Sequence, residues 1–297
     1  MERKALITTD QKAKGIAFII LAAFGFSMMS TFVKLAGDSI PPFQKAFFRN
    51  AFAFIFIGCI MLKNKVSFKP RKDCVKDLIF RSLFGSIGIV CNFYAVDKLL
   101  LSDANMLNKL SPFFAIVFSI FLLREKPTLV QIAGVLTALA GSALVIKPSL
   151  QNPQLFASLI GLAGGMCAGC AYTFVRKLGQ QGENSSLIIF FFSAFSCLMC
   201  VPFIVFDHSP MTIIQVVYMI LAGVFACVGQ YGITKAYFYA PAKEISVYDY
   251  SQILFAAAIG FFVFDQIPDL LSVVGYVLIC VAGIGMFYYK KKQKTII

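Results

Sequence analysis

The sequence predicts an all-α integral membrane protein of ten transmembrane helices in two inverted five-helix repeats. Three observations point there. The composition is 59% hydrophobic and 14% charged, with 33 phenylalanines and a mean hydropathy of +0.81, well outside the range of soluble domains. Ten apolar runs approach the length of a bilayer crossing, and intramembrane charges recur in both halves of the chain at one offset. A membrane barrel is excluded, because the runs are continuous blocks of Leu, Ile, Phe, Val and Ala and do not alternate with polar residues.

Six windows hold no charge: residues 15–33, 127–146, 148–175, 184–206, 209–234 and 270–289, of 19, 20, 28, 23, 26 and 20 residues. About 20 helical residues cross a hydrocarbon core of about 30 Å, so each suffices. Four more runs carry a charge inside or beside them: residues 46–62, 78–96, 101–123 and 245–264. In chain order these are spans one to ten. The first is long, follows a polar leader of 14 residues and leads almost at once into the second, which argues against a cleaved signal. The longest connection, residues 63–77, has 15 residues, too few for a separate soluble domain.

The net charge of +13 is distributed unevenly. With the amino terminus inside, the inner segments carry 20 Lys and Arg and the outer loops carry 4, namely Lys34, Lys45, Lys98 and Lys147; Arg49, Arg81 and Lys109 lie within spans. Such a bias is the positive-inside pattern, and it places both termini in the cytoplasm of a multi-pass protein of the cytoplasmic membrane. Attraction to the lipid surface accounts for the basic balance better than a nucleic-acid partner.

Ten spans divide into two fives, and an odd number of crossings makes the second five start from the opposite side. The repeats are expected at residues 1–148 and 149–297. "FVKLAG" precedes "FVRKLG" by 142 residues; at an offset of 140, "NKLSPFFA" falls on "YDYSQILF" and Lys109 on Asp249. "FQKAFFRNAFAF" in span two, "LSPFFAIVFSIFLLREKPTLVQIAGVLTALAGSALVIKP" across spans four and five, and "YDYSQILFAAAIGFFVFDQIPDLLSVVGYVLICVAG" across spans nine and ten carry a resemblance to the EamA-type branch of the drug/metabolite transporter superfamily. The resemblance covers nearly the whole chain. It implies ten helices in two inverted repeats, a central cavity lined by spans three, four, eight and nine and open alternately to each side, and export or uptake of small organic solutes. Asp265 stands where that pattern places Glu, and the absence of Trp excludes a Trp-stacking site.

The residues point to the same cavity. A charge near the middle of a span costs about 2.5–3.5 kcal/mol on insertion scales and normally faces the bundle interior or water. Ser102, Asn105, Asn108, Lys109 and Pro112 follow three- and four-residue spacing and share one helix face. Pro112 has no amide hydrogen, which leaves the Asn108 carbonyl for a solute, a water or the Lys109 ammonium. Span nine supplies Tyr248, Asp249 and Gln252, span eight supplies Gln230, Thr234 and Tyr237, and span three supplies Asn92. Two readings stand beside each other: a polar cleft with aromatic walls, or a Lys109–Asp249 pair that only specifies helix packing. Linear counting puts these two charges towards opposite membrane faces, where each would gate or coordinate from its own side.

Arg49 is a carboxylate-binding fork or a snorkelling cation near the outer end of span two. Arg81 is read as a surface anchor, and Glu125 and Asp265 as caps or gates at the starts of spans five and ten. "CAGC" at Cys167 and Cys170 and "CLMC" at Cys197 and Cys200 fall inside apolar helices, where small packing residues are expected rather than zinc ligands. Gly161, Gly165 and Gly169 form a small-xxx-small series for close helix approach. No cofactor or metal is called for.

The function expected is secondary transport of a small organic solute, an amino acid or related zwitterionic or anionic metabolite, by alternating access. The solute would be held by Lys109, Asn105, Asn108, Tyr248 and Gln252, with Asp249 as proton carrier or amino-group ligand. The alternative is a membrane-embedded enzyme acting on a lipid-linked substrate. Against it, the single histidine, His208, lies in a short outer loop, and no HExxH, GxSxG or phosphate-binding loop occurs.

Overall fold

The computed structural model describes residues 9–124, 127–147, 152–239 and 246–293, and among them every regular element is helical. In order they are α1 (Thr9–Leu35), α2 (Pro42–Lys63), α3 (Val75–Lys98), α4 (Leu101–Asn108), α5 (Ser111–Leu122), α6 (Leu129–Ile146), α7 (Leu155–Gln180), α8 (Ser185–Phe206), α9 (Ile213–Tyr239), α10 (Ser251–Phe264) and α11 (Leu270–Gln293). Short 3-10 turns at Lys72–Cys74 and Ser246–Tyr250 precede α3 and α10. Among the described residues, eight helical stretches are long and apolar enough to cross a membrane, with α4 and α5 together counting as one. Two shorter apolar helices, Tyr248–Phe264 and Leu270–Met286, correspond to spans nine and ten.

Helix ends follow local chemistry. Pro42 opens α2 with its fixed φ. Thr128 and Gln131 form a reciprocal capping box at the start of α6, and the Asn184 side chain accepts from the Ser186 amide at α8. The cap of α11 is Asp269, whose Oδ1 accepts from the Ser272 amide at 3.0 Å. This corrects the assignment of Asp265, which instead ends α10 in the left-handed region with φ 51°. Glu125 lies outside the described residues.

The packing inverts the soluble pattern. Large apolar side chains such as Phe121, Leu129, Phe206 and Phe262 face outward, while Ser27, Gln44, Asn50, Asn92 and Asn105 are buried. Polar side chains inside and hydrocarbon outside suit a lipid surround. The main neighbours are α1 with α9, α3 with α7, α2 with α8, and α6 with α11. Exchanging α1 for α7, α2 for α8 and α3 for α9 converts the α1–α9 contact into α7–α3, and α2–α9 into α8–α3, all of which occur.

Candidate functional site

Pro112 sits in the first turn of α5, where its missing N–H is harmless, and α4 stops at Asn108. Span four is therefore two helices with Lys109 at the break. Its own amide still donates to the Asn105 carbonyl at 3.0 Å. Helix α7 accommodates the interruption by having no side chains there: a Cβ on Gly165 would overlap the Leu107 carbonyl oxygen, and one on Gly169 would lie 2.6 Å from the Ser111 oxygen. The expected small-residue series thus packs against the break itself. Span nine has a matching irregularity, since Asp249 belongs to the 3-10 turn before α10.

These two irregular segments meet. Lys109 Nζ lies 2.5 Å from Asp249 Oδ2, with side chains 13% and 21% exposed. The other Asp249 oxygen, Oδ1, is buried without a hydrogen-bond partner. Beside the pair, Gln252 Nε2 donates to Asn105 Oδ1 at 2.7 Å, and the Ser27 hydroxyl donates to the Gln252 carbonyl at 3.0 Å. Helices α1, α4 and α10 are thereby tied through polar groups. The direct pair overturns the expectation that the charges lie at opposite depths. Counting rise assumed straight helices, whereas both segments are irregular at the charge, and a lysine stem reaches several ångströms from its backbone.

The pair borders a cavity of about 980 Å³, within the size range of small-molecule sites. Lys109, Asn105, Asn108, Asn92, Asp249, Gln252, Gln230 and Arg49 all line it, as does Pro112, so most of the residues singled out from the sequence converge. Tyr248 does not: it is 39% exposed and is absent from the wall. In a 3-10 turn adjacent residues point about 120° apart, so a turn that aims Asp249 inward carries Tyr248 aside. The Tyr237 and Thr234 side chains lie outside the described residues. Ser102 also departs from its expected face, because it accepts a hydrogen bond from the Tyr276 hydroxyl at 2.9 Å. That hydroxyl bonds the buried Asp103 as well.

Arg81 is the main correction. Rather than anchoring at a surface, it lines the cavity together with Tyr172 and Phe192. Its Cζ stands 3.7 Å from the Phe192 ring centroid, at cation–π distance. Position near a span end had suggested the anchor; the signal overlooked is Gly85, one turn on, where an added Cβ would lie 2.9 Å from Arg81 Nη1.

The cavity runs to Ser119, Thr128 and Gln131, where α5 ends and α6 begins. The opposite end is packed shut. Lys45 Nζ pairs with Asp97 at 2.5 Å, with side chains 0% and 4% exposed. Lys34 Nζ donates to the carbonyls of Val96 at 2.8 Å and Leu99 at 2.6 Å. Gln44 holds Ser209 through both its amide oxygen and its amide nitrogen. Cys167, Cys170, Cys197 and Cys200 are free thiols, and no cluster suited to a metal ion occurs among the described residues.

The profile of the EamA-like transporter family matches the chain twice, over residues 13–147 and 155–288. The pseudopaline exporter CntI of Pseudomonas aeruginosa is 30% identical, over 95% of this chain and 99% of its own. The S-adenosylmethionine uptake transporter of Rickettsia bellii is 21% identical, over 95% of this chain and 96% of its own. A solved crystal structure, 16% identical, superposes with a TM-score of 0.64 over 95% of this chain and 99% of that one, a likeness of fold.

Proposed function

We propose that this chain, which belongs to the EamA-like transporter family, moves a small organic solute across the cytoplasmic membrane by alternating access. It is a transporter and not an enzyme, as its family and named relatives are. The observation that carries the finer reading is the Lys109–Asp249 pair on the cavity wall. A solute carboxylate can take over the Lys109 ammonium while an amino group, or a proton, takes over Asp249. Asn105, Asn108, Asn92, Gln230 and Gln252 supply neutral hydrogen-bonding groups around the exchange.

Two inverted repeats, at residues 1–148 and 149–297, supply the motion. The double family match and the exchangeable helix neighbours support that division. The 20:4 distribution of Lys and Arg supports a reading in which the Thr128 end of the cavity faces the cytoplasm and the Lys45–Asp97 seal the outside, an inward-open conformation. Rocking of one repeat against the other would break that seal and close the Thr128 end. The bilayer and a small solute are the partners this requires.

The test is counterflow of labelled amino acids and related acids in proteoliposomes. Wild type should exchange at least one of them, and Lys109→Ala should lower its affinity by tenfold or more. If Lys109→Ala retained wild-type affinity, the ammonium would be a packing group. If Asp249→Asn kept both the rate and its pH dependence, the coupling role would be wrong.

A further inference from the structure

Two cations on the cavity wall are left over by the Lys109–Asp249 pair. Arg49, 5% exposed, donates through Nη1 to Asn50 Oδ1 at 2.8 Å, and its Nε is buried without a partner. Arg81 has two such orphaned donors, Nε and Nη1. No carboxylate pairs with either among the described residues. A buried guanidinium donor with its hydrogen bond unmade is costly unless something anionic arrives, and here two such side chains line one cavity.

The surroundings are built to hold Arg81 flat and facing the cavity. Its guanidinium lies over the Phe192 ring, which occupies one face of the fork and leaves the N–H edge unengaged. Gly85 makes the stack possible, because a Cβ there would come within 2.9 Å of both Arg81 Nη1 and Phe192 Cε2. Tyr172, Arg49, Arg81, Lys109 and Asp249 all line this cavity, so the arginines and the ion pair share one compartment.

We infer that Arg49 and Arg81 form a second oxyanion subsite, distinct from Lys109, so that the transported solute is a small organic acid bearing two separated anionic groups, carboxylate or phosphate. This rests on the reading of the cavity as the solute site. One anionic group goes to the Lys109 ammonium as it parts from Asp249. The other goes to the arginine forks, whose planar donor edges match an oxyanion in two-point fashion. An amino group on such a solute would fall to Asp249.

Thermal-shift titration of the purified full-length protein tests it with three probe series: the α,ω-dicarboxylates from malonate to adipate, the phosphonocarboxylates of the same lengths, and the monoamides of the dicarboxylates. At one best length the doubly anionic probe should bind at least tenfold tighter than its monoamide; the better of the two dianionic series identifies the oxyanion. Arg81→Gln and Arg49→Gln should each bring dianion and monoamide to within about twofold, while Arg81→Lys keeps part of the advantage. If Arg81→Gln does not fold, Arg49→Gln and Arg81→Lys decide. The inference is overturned if no dianion outbinds its monoamide, or if the advantage survives the arginine substitutions intact. Lys109→Gln separates the two claims: unchanged affinities there, with discrimination lost in Arg81→Gln, would sink the role of Lys109 and spare the arginine subsite, and the converse pattern would do the reverse.

Discussion

Lys109 and Asp249, 140 positions apart in the chain, are joined by a 2.5 Å ion pair where two apolar helical segments are both irregular. A pair sealed in hydrocarbon would be a fixed structural element. This one is partly open to a cavity, so under the proposed function each charge can exchange its partner for a solute group.

Removing one member should cost more than removing both. Asp249→Asn leaves the Lys109 ammonium uncompensated, and full burial would make that worth about 3–5 kcal/mol. Cavity water reduces it, so a loss of about 1–3 kcal/mol is expected. The double variant Asp249→Asn with Lys109→Gln should recover at least half of the loss in melting temperature of the detergent-solubilised protein. A double variant less stable than either single one would contradict the coupling.

The Lys45–Asp97 pair is a stricter case, being almost fully buried. Lys45→Met alone should destabilise by about 3–5 kcal/mol, because it strands the Asp97 carboxylate. Lys45→Met with Asp97→Leu should restore most of the stability while weakening transport, since the apolar seal has no charge exchange to reopen it. Thermal denaturation and counterflow on the same preparations measure the two effects.

Gly165 should tolerate no side chain. Gly165→Ala would push a Cβ into the Leu107 carbonyl at the helix break, with an expected cost of about 1–3 kcal/mol from backbone displacement. Gly285→Ala is the control: nothing lies within 4 Å of its Cβ, and relief of glycine's helix penalty should leave stability unchanged or raised by up to about 1 kcal/mol.

Asp269, at the loop before α11, is held down to about 2 by its hydrogen bond with Lys147, at 2.7 Å. A depressed carboxyl contributes stability that is present above the unfolded value of about 3.9 and lost as pH falls through the folded one. Half of its side chain is exposed, so screening keeps the contribution below about 1 kcal/mol. Asp269→Asn should therefore lower the melting temperature slightly at pH 6, and that difference should shrink between pH 4 and pH 2.

The sequence made the membrane class and the cavity charges legible for different reasons. Hydropathy is set by composition along the chain, so the crossings could be read without tertiary information. Lys109 and Asp249 stood out because a charge inside an apolar run is expensive wherever the helix packs. Arg81, Asp97 and Asp103 lie near span ends, where a charge costs little, and their burial is decided by partners on other helices: Phe192, Lys45 and Tyr276. The same limit explains Tyr248 and the depth count, both of which assumed regular α-helix through positions where the backbone changes.

The most direct measurement is the sidedness of access to the Lys109–Asp249 cavity. Asn108→Cys, in a background with the nine native cysteines replaced, can be labelled with a membrane-impermeant maleimide in vesicles of each orientation. Reaction from the cytoplasmic face at least tenfold faster than from the outside, a bias kept or strengthened by Lys45→Met with Asp97→Leu, whose apolar seal stays shut, is the predicted result. Equal reaction from both faces, or none from either, would contradict a cavity that opens to one side at a time.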